Sequence, residues 1–292
     1  MNRNTILFLV AILLLALTYS SHSTAQTSSI PDNEIIQDAQ DSVIFQHLTE
    51  TFSDKKDIPI GELIILIGKS FQGTPYVAHT LENDTDEKLV VNLRELDCTT
   101  FAENCLALAR TIKTGDPTYK SFLVNLQQIR YRNGIRNHYP SRLHYFSDWL
   151  MNNAEKNIID LPAVNFGEIF PNQLNFMSTH PESYQCLKEN PAFVAELDEL
   201  EKDISAKKYY FIPKDKIASV ESMLNEGDIA GITTNIKGLD IVHTILLTEV
   251  NGRVHLLHAS SSAKKVILSD EPLNDYLAKN KIQTGLMVGR PK

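Results

Sequence analysis

Leu96-Asp97-Cys98-Thr99-Thr100-Phe101, running on through Ala102, Glu103, Asn104 and Cys105 to Ile112, is the stretch on which the reading of this chain turns. Beyond Asp97, apolar side chains fall at Phe101, Cys105, Leu108, Ala109 and Ile112, the i, i+4, i+7, i+8, i+11 spacing of one helix face. Asp97 is a good N-cap, so Cys98 takes the first helical position, and Gly115 after Thr114 reads as the stop. Counted back from Phe101, Cys98 lies on the buried stripe. A thiol at the positive end of a helix dipole is favoured as thiolate, and the unpaired N–H groups around it can also receive an oxyanion. That describes an activated nucleophile. A small core cysteine would show the same helix, so a base elsewhere in the chain has to separate the two.

Upstream, Arg3, an apolar run from Ile6 to Leu17 and Ser23-Thr24-Ala25 have the three parts of a secretory signal peptide, with cleavage expected after Ala25. The apolar run is short for a membrane span, and no later stretch approaches ~18 consecutive apolar residues. The mature chain, 26–292, is expected to be exported to the periplasm, cell envelope or medium as a monomer, without stable membrane insertion. It is long enough for one elaborated domain with a real core. The formal charge of −8 becomes −9 once Arg3 leaves. With no basic block or aromatic-basic interleaving, nucleic acid is not an expected partner. Three cysteines leave at least one unpaired. Cys98 and Cys105 stand about 10 Å apart along one helix, beyond disulfide reach, so Cys98 is the expected free thiol, and a bridge between Cys105 and Cys186 stays open.

Between leader and thiol, Ile35, Ile36, Ala39, Val43, Phe45 and Leu48 predict an amphipathic helix within Pro31 to Phe52, and a second runs from Pro59 to Phe71. Gly73-Thr74-Pro75-Tyr76 is a turn presenting a tyrosine, and Leu89 to Leu93 is a short strand. Tyr76 either packs or reaches the thiol from its loop. Residues 116–225 form a mostly helical section without repeats, including helices at Tyr119 to Arg130 and Pro191 to Lys207 and a strand at Tyr209 to Ile212. Within it, Tyr139-Pro140-Ser141-Arg142-Leu143-His144-Tyr145-Phe146 and Trp149 concentrate rings and guanidinium groups. Such density suits a sugar or a carboxylate-bearing ligand, and equally an ordinary helix-loop.

The last third changes period to two. Asp228 to Thr233, Ile241 to Val250, Arg253 to Ser260 and Ile282 to Val288 read as strands of an antiparallel sheet, with Asn251-Gly252 as a two-residue hairpin turn. Val250 then faces Arg253, which places His243 and His258 on one face, diagonal to each other, and sends His255 to the other. The two imidazoles are a candidate pair in which one takes the thiol proton and the other orients it. His255-x-x-His258 sits in a strand, so its two rings diverge and no metal site is expected there.

Asp97-Cys98-Thr99-Thr100-Phe101, Gly227-Asp228, His243 and His258-Ala259, with an upstream Pro75-Tyr76, occur in the order seen in the papain-like cell-wall hydrolases of the NlpC type, which this chain resembles over Gly61 to Thr114 and Asn225 to Val288. The helical insertion, with Ser141-Arg142-Leu143-His144-Tyr145 and Gly238-Leu239-Asp240-Ile241-x-His243, is similar to that of the branch assigned N-acetylmuramoyl-L-alanine amidase activity. The resemblance implies an α+β, papain-like single domain: a nucleophile helix on an antiparallel sheet, with the insertion at about 116–225 selecting substrate. It also implies Cys98 as nucleophile, His243 as base, His258 as orienting residue, and the Cys98 N–H with Tyr76 as oxyanion donors. Asp97, Arg142, His144, Tyr145 and Trp149 would contact peptidoglycan or its fragments. No cofactor or metal is implied. The rival activities are a γ-D-Glu–diamino acid peptidase with the same machinery, a catalytically idle wall-binding module, and a zinc amidase, which the strand parity disfavours.

Overall fold

The structure is a computed structural model that describes residues 30–82, 86–171 and 173–292; the expected leader lies outside them. The first predicted helix is shorter than its apolar pattern. Ile35–Ile36 (β1) pair in parallel with Leu89–Val90 (β2), and the helix, α1, spans Ala39–Thr51. Asp38 decides the difference: its carboxylate accepts from the Gln40 N–H while Asp41 accepts from the Asp38 N–H, so the helix begins at this capping box. Helix α2, Ile60–Ser70, follows Pro59. Helix α3, Cys98–Lys113, starts as the sequence predicts, with Asp97 accepting from the Thr100 N–H at 2.7 Å and Thr100 Oγ1 accepting from the Asp97 N–H at 2.9 Å. It ends before Gly115, whose φ of +80° closes the cap.

The middle section contributes α4 (Tyr119–Arg130), α5 (Phe146–Glu155) and α6 (Pro191–Ser205). It also supplies the short strands β3 (Ile159–Asp160), β4 (Glu168–Ile169) and β5 (Tyr210–Pro213). The C-terminal part forms β6 (Ile229–Thr234), β7 (Ile241–Val250), β8 (Arg253–Ser260), β9 (Lys265–Leu268), α7 (Leu273–Ala278) and β10 (Gln283–Pro291). The antiparallel sheet runs β4-β5-β10-β6-β7-β8-β9, with β3 also on β10. Asn251 and Gly252 both have positive φ, 52° and 78°, the geometry of a two-residue hairpin turn, and the pairs Val250↔Arg253, Thr248↔His255 and Leu246↔Leu257 follow the predicted register.

Helices cover one face of the sheet: Leu63, Ile64 and Ile67 of α2 and Phe101, Cys105 and Leu108 of α3 are buried in one cluster with Leu246 and Leu257. Each such side chain stabilises by ~1.5–3 kcal/mol. Ile245, Leu247, Leu256 and Leu286 turn the other way and pack with Leu273 and Leu277 of α7. Phe122, Leu126, Ile129 and Trp149 of the middle section join the α2–α3 cluster, so that section shares the core instead of hanging from it. A buried ion pair ties α4 to α3: Arg130 Nε lies 2.7 Å from Glu103 Oε2 and its Nη1 donates to the Val90 carbonyl. Gly227, at φ +79°, leads into β6; a Cβ there would stand 2.3 Å from the Cα of Gly61, so the Gly-Asp motif marks a backbone-to-backbone contact with α2. All three cysteines are free.

Candidate active site

The cap that starts α3 leaves Cys98 half-buried at the helix mouth, against β7. The Thr244 N–H and the Thr99 hydroxyl are the neighbours that favour charge on its sulfur, and the two threonine hydroxyls lie 3.4 Å apart. The expected thiolate is not what this environment favours. Burial pushes the thiol up to about 11, with the Asp97 carboxylate adding to the rise; the Thr244 N–H of β7, the Thr99 hydroxyl and the Cys98 N–H offset it only in part. The helix dipole argument thus points the right way and loses to desolvation and to the charge of the capping residue itself.

His243 and His258 share one face of the hairpin as their spacing predicts. His243 Nε2 lies 2.5 Å from His258 Nδ1, with the rings nearly perpendicular at 83°. His255 points to the other face, where its Nδ1 lies 2.9 Å from the Ser269 carbonyl. Burial lowers His243 to about 3, with help from His258, and His258 to about 4. Both rings are therefore neutral at neutral pH, and one proton sits between them. His258 Nε2 is buried without a partner among the described residues, and the ring lies 6.0 Å from that of Tyr276.

Along β7 and β8 the side chains turned to the helices are Thr244, Leu246, Leu257 and Ala259, and the two imidazoles alternate with them. The sulfur accordingly meets β7 at the backbone of the residue next to His243. Among the described residues the groups acting on it are Asp97, Thr244 and Thr99, and neither ring is one of them.

Cys98 and Asp97 open into a cleft of about 340 Å³ whose wall includes Tyr76, Glu82, Arg142 and His144. Tyr76 bridges to Leu96, and its phenol is pushed up to about 12 by burial and by Cys98 and Asp97, so it stays protonated. Arg142 is buried and occupied: Nη2 lies 2.8 Å from Glu82 Oε1, Nη1 donates to the Leu81 carbonyl, and the guanidinium sits 4.7 Å above the Tyr139 ring. Its fork is spent on the protein's own carboxylate. Tyr145 and Trp149 are not on the cleft wall. The Tyr145 hydroxyl is buried on Glu201 at 2.5 Å, and Trp149 stacks on Phe146 at 5.5 Å in the core. The aromatic density of this segment is thus largely packing, because α5 turns those rings inward. Glu82 and Thr244 were not legible as site residues: one lies in a loop without periodicity, the other looks like any strand threonine. Among the described residues no three His, Cys, Asp or Glu side chains converge as a ligand set for a metal ion, and no helix is long and apolar enough to cross a membrane.

Among curated proteins nothing matches the chain. Solved structures do. A structure named N-acetylmuramoyl-L-alanine amidase, from Bacteroides uniformis ATCC 8492, is 37% identical, with a TM-score of 0.77 over 80% of this chain and 99% of that one. A Bacteroides fragilis protein given the provisional name xylanase is 41% identical, with a TM-score of 0.73 over 76% of this chain and 98% of that one. A Legionella pneumophila protein, 18% identical with a TM-score of 0.63 over 86% of this chain and 95% of that one, shares the fold. The model of one family matches residues 66–286, a span that holds the α3 start, the cleft and both imidazoles. By that match this chain belongs to the AmiA-like family, described as N-acetylmuramoyl-L-alanine amidase-like.

Proposed function

We propose that the protein is a cysteine-dependent, papain-like amidase of the NlpC type that hydrolyses the amide between the lactyl group of N-acetylmuramic acid and L-Ala in peptidoglycan fragments, acting outside the cytoplasm. The observation that carries this reading is the His243–His258 hydrogen bond between β7 and β8, next to Thr244, whose hydroxyl meets that of Thr99, the residue after Cys98, at 3.4 Å. The family match and the Bacteroides uniformis amidase support the bond type.

In this reading the resting pair is neutral. When His243 Nε2–H donates to His258 Nδ1, the Nδ1 lone pair of His243 is left as the base. This reading requires the Cys98 sulfur to reach that nitrogen past the β7 backbone; the thiol proton then passes to His243 and the sulfur forms a bond to the lactyl carbonyl carbon. The oxyanion accepts from the Cys98 N–H and from Tyr76, which its raised pKa keeps a donor. The C–N bond then breaks, the imidazolium returns the proton to the departing L-Ala amine, and water hydrolyses the thioester. A glycosidase reading finds less support: Asp97 is committed to the helix cap and Glu103 to Arg130, where a glycosidase needs two available carboxyl groups.

The test is digestion of a purified muropeptide by wild type and by Cys98→Ala, with products weighed by mass spectrometry. Free glycan plus the intact stem peptide, formed by wild type and lost in the variant, is the expected result. Cleavage within the stem assigns the peptidase activity instead, and full hydrolysis by Cys98→Ala overturns the mechanism.

A further inference from the structure

Tyr139, Arg142 and His144 of the middle section, with Glu82 from the loop before β2, form a cluster with one open end. Arg142 lies over one side of Tyr139, His144 lies against the same ring with centroids 4.4 Å apart, and the Tyr139 hydroxyl turns to Glu82. Most polar atoms of this cluster are used up internally, as the Arg142–Glu82 bond shows. His144 differs. Its Nε2 lies 2.9 Å from the Tyr139 carbonyl oxygen, which can only accept, so Nε2 carries the proton. The other nitrogen, Nδ1, is then a lone-pair acceptor. It makes no hydrogen bond among the described residues, it is not among the sealed-off polar atoms, and the ring lines the same cleft as Cys98.

Resting on the amidase reading, we propose that His144 Nδ1 is the specificity-determining acceptor of this cleft, recognising a neutral N–H or O–H donor of the substrate close to the bond that Cys98 attacks. Two features select a neutral donor. The ring is buried enough to resist protonation, and the charges acting on it are the guanidinium groups of Arg142 and Arg132, which oppose a second cation at the same spot. A free ammonium at the start of a stem peptide is therefore disfavoured against the same nitrogen when acylated. The closeness of donor and scissile bond follows from the cleft, which at about 340 Å³ lies near the lower end of the ~300–1,000 Å³ typical of ligand pockets. Arg142, by contrast, buttresses the Tyr139 ring and does not bind a ligand carboxylate.

The experiment compares His144→Gln, which keeps an N–H near the Nε2 position for the Tyr139 carbonyl, with His144→Asn, which restores an acceptor near Nδ1. Both are assayed on an N-acetylmuramoyl-peptide and on the matching lactoyl-peptide that lacks the sugar. His144→Gln is expected to lose roughly 5- to 100-fold in kcat/KM, mainly through KM, the range for leaving one buried donor unpaired. His144→Asn should recover part of it. A loss seen on both substrates places the donor on the peptide; a loss confined to the muramoyl substrate places it on the sugar. Wild-type kcat/KM for His144→Gln on both substrates overturns the proposal, as does an Asn variant no better than Gln when both retain the wild-type melting temperature. Failure of the amidase reading is separate, since it shows as hydrolysis that survives Cys98→Ala.

Discussion

The protonation state of Cys98 can be tested without substrate. An ordinary thiol here has a reference value of 9.0, and burial with Asp97 raises this one to about 11. Two units correspond to roughly 2.7 kcal/mol against the thiolate. At pH 7 roughly one molecule in 10,000 then carries the anion, about 100-fold fewer than for an unperturbed thiol. Nucleophilicity rises with pKa at about 0.4–0.5 decade per unit, which returns nearly tenfold, so Cys98 should alkylate roughly tenfold more slowly than an unperturbed thiol at pH 7. The assay is site-resolved mass spectrometry of iodoacetamide labelling from pH 5 to 10. Cys105 is fully buried and also raised, so it is not expected to compete. The logarithm of the Cys98 rate should climb with unit slope and no plateau below pH 10. Asp97→Asn keeps an oxygen for the Thr100 N–H while removing the charge, and should speed labelling at neutral pH. A flat, fast rate between pH 5 and 8 that collapses in His243→Ala would show a resting thiolate–imidazolium pair and refute this reasoning.

Glu103→Gln leaves the buried Arg130 guanidinium without its counter-charge and should cost about 3–5 kcal/mol, seen as a fall in Tm on the order of 10 °C; the double change Glu103→Leu with Arg130→Met should cost far less. Because His243 and His258 are held below their ordinary 6.5, the unfolded chain takes up their protons first as pH falls. Stability should therefore be full above about pH 6.5 and decline as pH falls toward about 3, and denaturant titrations of His243→Gln/His258→Asn should show a shallower decline. Gly227→Ala should destabilise strongly even though the side chain gained is one methyl, since the positive φ and the Gly61 backbone both oppose it. Circular dichroism melts would check this, and an unchanged Tm would contradict it.

What the sequence determined on its own is what local rules govern. Asp97 and Thr100 are three residues apart, so the cap that sets the start of α3 at Cys98 is written in adjacent letters. Asn251-Gly252 admits few turn geometries, and the period of two then carries His243 and His258 to one face and His255 to the other without any knowledge of the rest of the molecule. The tertiary structure decided what depends on distant partners. Strands of two residues such as β3 and β4 have no period to read and exist because β10 and β5 present an edge to them. Tyr145 and Trp149 look like ligand-binding rings until Glu201, brought in from α6, takes the Tyr145 hydroxyl and the distant helices of the core bury the indole. Above all, the charge on Cys98 follows from how far folding removes the sulfur from water, a quantity summed over the whole surrounding chain and absent from any short stretch of it.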